Sequence, residues 1–208
     1  MRPSSDDHDL ARLAEARSTP VARLIAGVLT PANVVLALTV YIAFKYAPSV
    51  VAAISWWLVA VFLVVGIPYL ILLRALRRGS ASDRQVVRRS QRPALMASAA
   101  AAVVLALVVL YFGGAPRPLV WLILAMTCGL VAMAITSTVW KASMHLAVAS
   151  GAVAVLALEN RLAGAFAALF LPLIAWARWR EGRHSVSQLL GGALIGAAAA
   201  GVVYGLLR

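Results

Sequence analysis

Four stretches of this chain, residues 24–44, 50–73, 94–112 and 119–140, each run for about twenty positions without one charged side chain. A hydrocarbon core about 30 Å thick is crossed by about 20 mainly apolar helical residues rising 1.5 Å each, so every one of these stretches can span a bilayer. Residues 189–207 form a fifth. Residues 142–158 and 162–176 are shorter, parted by the polar turn Glu159-Asn160-Arg161. Helices of that length fit where neighbours in a bundle surround them. The pattern predicts an all-α, polytopic transmembrane helix bundle of six to seven spans. Composition agrees: 63% of the 208 residues are hydrophobic and 12% charged, far more apolar surface than one soluble domain of this length can bury.

Residues 1–20 read as a solvated tail, because acidic and basic side chains are mixed there without the apolar centre of a cleaved signal. Residues 21–208 then form a single membrane domain. Cys128 is the only cysteine, which excludes a disulfide framework and a cysteine metal motif. Gly192-x3-Gly196 and Gly201-x3-Gly205 are expected to be close-packing faces. Pro31, Pro68 and Pro172 are expected to kink their helices. Trp140, Trp176 and Trp179 are expected in one interfacial belt, with Trp121 and Tyr111 at the other interface.

The formal net charge of +12 would suit nucleic acid, anionic headgroups or an anionic substrate. Placement decides against nucleic acid. Positive charge gathers in the tail up to Arg23, in residues 74–92, at Lys141 and in residues 178–183, and an even number of spans separates each cluster from the next. All four therefore fall on one face, while Lys45, Arg117, Arg161 and Arg208 fall on the other. The positive-inside rule puts the richer face in the cytoplasm and its arginines beside anionic headgroups. The same count brings three polar segments together: residues 83–93, residues 141–145 and residues 177–188, which hold two of the three histidines. The span interiors are free of ionisable groups, unlike those of most transporters.

These segments resemble the three motifs of the type 2 phosphatidic acid phosphatase superfamily. In the pattern Ser-Arg-x5-His-x3-Asp, Arg178 and His184 match, with Ala177 at the Ser and Gln188 at the Asp position. In Pro-Ser-Gly-His, Ser143 and His145 match, with Ala142 and Met144 at the other two. In Lys-x6-Arg-Pro, Arg92-Pro93 match and Gln85 stands at the Lys. The resemblance covers about residues 83–200, and this degenerate version is similar to those of Ala- and Arg-rich bacterial proteomes, which implies a bacterial cytoplasmic membrane.

The resemblance implies a metal-independent lipid phosphatase without cofactor, acting on a phosphate monoester or diphosphate of a membrane lipid, a polyprenyl carrier being favoured. His184 would attack phosphorus to form a phosphohistidine, and His145 would protonate the leaving lipid oxygen and later activate water. Arg92 and Arg178 would grip the phosphate, with Ser143 and Lys141 as further donors. Arg84 or Arg88 would replace the motif lysine. Gln188, four residues after His184, would orient its ring from the same helix face without supplying charge. The alternative is a relative that binds lipid phosphate, or scaffolds a membrane complex, without turnover.

Overall fold

The computed structural model describes residues 19–77 and 92–208. Helices α1 (Pro20–Val28) and α2 (Pro31–Tyr46) make the first crossing, and α3 (Val50–Val61), a π-helical turn (Phe62–Gly66) and α4 (Ile67–Arg77) the second. Then follow α5 (Arg92–Gly113), α6 (Arg117–Val139), α7 (Met144–Glu159), the pair α8 (Arg161–Ala168) and α9 (Phe170–Arg180), and α10 (Val186–Leu207). Among the described residues there is no strand. Five continuous segments are long and apolar enough to cross a membrane, and Ala97–Gly113 and Met144–Glu159 are shorter apolar helices. The chain is thus an all-α transmembrane bundle whose apolar helices follow in the expected order.

The three prolines act at breaks with local causes. Pro31 opens α2 behind Thr30, whose Oγ1 accepts the Asn33 N–H at 3.2 Å, so the lost proline donor falls where no intrahelical bond exists. Pro172 has no N–H to offer Ala168, and the helix breaks at Leu169. Pro68 follows the π turn, in which the Ile67 N–H reaches back to the Phe62 carbonyl. Widening the helix there accommodates the missing bond to Val64.

Helices α7 and α10 form the tightest pair. A Cβ added to Gly196 would collide with the Ala147 carbonyl, and one on Gly192 with the backbone of Ser143. Only glycine lets these backbones approach so closely. The second pair packs loosely, since a Cβ on Gly201 would meet Ala154 at 3.8 Å and one on Gly205 would meet Leu158 at 3.5 Å. Ser150 Oγ–H donates across the same interface to the Ala193 carbonyl at 2.7 Å. Ile42, Leu110, Leu119, Ile123 and Val155 fill the core between α2, α5, α6 and α7. Ile135, Leu194 and Leu206 face outward, as they should where the solvent is hydrocarbon.

At the end opposite Lys141, the Glu159 carboxylate is fully buried and ties three helices together. Lys45 Nζ donates to it at 2.6 Å, Tyr46 Oη at 2.7 Å and Tyr204 Oη at 2.9 Å, and Arg208 Nε lies 3.4 Å away. Both oxygens of this carboxylate are hydrogen-bonded and two cations stand beside it, which is the condition for keeping a charge at a buried position.

Candidate anion site at the basic end

The end of the bundle opposite Glu159 is built by the approach to α7, the C-terminus of α9 and the loop into α10. Three hydrogen bonds fold the loop back onto α9: Glu181 N–H to Ala177 O, Gly182 N–H to Trp179 O and Arg183 N–H to Arg178 O. Gly182 turns the chain at φ 64°, a left-handed conformation that favours glycine just beyond a helix end. Two bonds then join this loop to the α7 approach. Lys141 Nζ donates to the Arg183 carbonyl at 3.0 Å, and the Ser143 N–H to the Gln188 carbonyl at 3.0 Å. Two of the three segments expected on one face from the span count, residues 141–145 and 177–188, therefore meet there, while residues 83–91 of the third lie outside the described residues.

Ser143 occupies the N-cap position of α7 but its hydroxyl does not cap the helix. That side chain is fully buried, and its Oγ has no hydrogen-bond partner. Arg178, on α9, is 4% exposed. One of its terminal nitrogens pairs with Glu181 at 2.5 Å, while its Nε has no partner. The Nε of Arg180 is likewise buried and unpartnered, so this arginine turns at least part of its head inward; it was expected at the lipid headgroups. Half-buried His145 lies in the first turn of α7, within electrostatic reach of both Arg178 and His184. Positive partial charge at the α7 N-terminus adds to the local field. A buried donor without an acceptor costs about 1–3 kcal/mol, so each of these groups carries a cost that an anion within its reach would remove.

At Gln188 the local structure differs from the single helix turn that the sequence reading assumed. The expectation placed it one helical turn beyond His184, yet α10 begins only at Val186 and His184 precedes the cap residue. The Gln188 amide oxygen accepts the Ser185 N–H at 3.1 Å, while Ser185 Oγ accepts the Gln188 N–H at 3.3 Å, a reciprocal capping box. Its carbonyl and amide oxygens thus serve the fold at α7 and α10. Trp140 also does more than sit at an interface, since its ring packs under Gly191, where a Cβ would strike it.

Arg84 and Arg88 lie outside the described residues. Arg92 opens α5, with its side chain outside them too. Two groups were given no role from sequence: Glu181, the partner of Arg178, and Glu159, the partner of Lys45. A signal existed, for these are the only acidic residues after Asp83. In so basic a chain each was bound to be claimed by cations. Among the described residues, no group of three or more His, Cys, Asp or Glu side chains is arranged to hold a metal ion. Compared with family models, curated proteins and solved structures, the chain matches none of them.

Proposed function

We propose that this chain is a membrane lipid phosphatase that binds the phosphate of its substrate at the basic end of the bundle. The observation that carries the reading is a pair of buried, unpartnered donors, Ser143 Oγ two residues before His145 and Arg178 Nε on a side chain within electrostatic reach of His145, with Arg180 Nε unpartnered on the same helix as Arg178. Such donors match the equatorial oxygens of a phosphoryl group, whose charge must be neutralised during transfer. His184 attacks phosphorus, forming a P–N bond as the P–O bond to the lipid breaks, and His145, which takes up a proton once the bound phosphate offsets the positive charge beside it, gives that proton to the departing oxygen. Water then attacks the phosphohistidine, passing a proton to His145 and releasing inorganic phosphate. The degenerate phosphatidic acid phosphatase motifs support the same assignment, and the excess of arginine at this end supports its facing the cytoplasm of a bacterial cell.

One observation favours the second reading, phosphate binding without turnover: the Gln188 amide oxygen already accepts the Ser185 N–H, the bond of a helix cap. Phosphate release from polyprenyl phosphates, polyprenyl diphosphates and phosphatidate separates the two readings, with His184→Ala and His145→Ala alongside. Release that both variants abolish, with phosphate trapped on His184, supports the enzyme. Equal release by all three proteins sinks it, and binding without release leaves the second reading standing.

A further inference from the structure

A cavity of about 400 Å³ lies inside the bundle, bounded by α2, the π turn with α4, α5, α6, α7 and α10. Close-packed interiors hold few voids larger than a water molecule, so a space of this size is in the range of ligand sites and outside that of packing defects. Its walls include Val35, Leu38, Leu122, Met126, Met133 and Val155, and no charged side chain among the described residues. The π turn contributes Val64 and Val65 to the wall, and Pro68 follows them. π turns inside helices frequently mark functional positions.

Its extent selects the occupant. Along α7 the lining runs from Met144 to Val155, about 16 Å at 1.5 Å per residue. That is about half of a 30 Å hydrocarbon core, the depth of one leaflet. Met144 lies between Ser143 and His145 in sequence, so the lining starts within one residue of both, at the basic end of α7, and runs toward the bilayer centre. A partner's transmembrane helix would need the full thickness and a trough about 10 Å wide. A polar solute would find few partners along such a wall, where Tyr69 carries the one side-chain hydroxyl among the described lining residues.

We propose that this cavity holds one hydrocarbon chain of an anionic membrane lipid, drawn from the leaflet at the basic end, with its head against Ser143, His145 and Arg178. The choice of head rests on the proposed phosphate site; the chain rests on the cavity alone. Binding is favoured because an apolar wall receives an apolar chain while the charged head stays with the cations at the mouth.

The test uses the purified full chain in nanodiscs with two lipid probes, each bearing a diazirine halfway along the same chain. One probe ends in a phosphate monoester and the other in a hydroxyl. After illumination, label is mapped by peptide mass spectrometry in wild type and in two variants that fill the cavity, Val35→Phe and Ala99→Leu, each confirmed as folded by size exclusion. The expected result is label on Met126, Met133 and Val155, several-fold higher for the phosphate probe, and lost in both variants while label on outward Ile135 and Leu194 persists. Label spread equally over inward and outward positions, unchanged by both variants, overturns the cavity assignment. Head-dependent label that ignores the variants overturns the cavity and leaves the phosphate site intact. Cavity label equal for the two heads overturns the anionic-lipid assignment together with the phosphate site on which it rests.

Discussion

Replacing Glu159 by alanine is expected to be among the most destabilising single changes in the bundle, for reasons that can be counted group by group. The Tyr204 hydroxyl is buried and loses its acceptor, a penalty of about 1–3 kcal/mol. Half-buried Tyr46 loses a bond worth about 1 kcal/mol. Lys45 keeps 34% of its side chain exposed and can turn to water, so its share stays under about 1 kcal/mol. Together with the void left behind, the cost should be about 3–5 kcal/mol, the usual range for breaking a buried ion pair from one side. For a chain of this size that lowers Tm by roughly 6–20 °C. Glu159→Gln keeps the shape and one acceptor and should lose only about 1–2 kcal/mol. An apolar replacement of the whole cluster, Lys45→Met with Tyr46→Phe, Glu159→Leu and Tyr204→Phe, should recover most of the loss, because no donor is then stranded. Thermal unfolding in detergent, followed by far-UV circular dichroism, measures all three. A Glu159→Ala protein as stable as wild type would refute the reasoning, as would a glutamine variant weaker than the alanine one.

Gly196→Val should separate α7 from α10 and leave little monodisperse protein on size exclusion, whereas Gly201→Ala, whose added Cβ makes an ordinary contact, should behave as wild type. Ser143→Ala removes a buried hydroxyl without a partner, so Tm should rise or hold, while affinity for inorganic phosphate measured by calorimetry falls about tenfold, the worth of one lost hydrogen bond. A lower Tm with unchanged affinity would assign Ser143 to packing. Gln188→Ala should cost about 1 kcal/mol through the lost capping box, read as a small drop in Tm. Phosphate release per folded molecule should be unaffected, and a large loss would return Gln188 to the ring of His184.

Much of the architecture was legible in the chain because a bilayer leaves so few options. Uncharged runs of about twenty residues must be helices, and their parity alone returned Lys141, Ser143, Arg178 and His184 to one end. Glycine spacing marked the α7–α10 contact but not which pair would be tight, since Gly192 and Gly196 differ from Gly201 and Gly205 only in what faces them. The capping role of Gln188 was not legible for a local reason: whether positions 184 and 188 share one helix depends on where the helix starts, and Ser185 sets that start by capping.

By itself, then, the sequence determined the class of fold, the number and order of apolar helices and the end at which its polar segments collect, because hydrophobicity and periodicity are local properties. Tertiary structure decided which donors are buried without acceptors, that Glu181 pairs with Arg178, that Glu159 joins Lys45 to Tyr204, and that an apolar cavity lies among α2, α4, α5, α6, α7 and α10. Burial and pairing belong to side chains far apart in sequence, and only the packing of helices from opposite ends of the chain brings them into one environment.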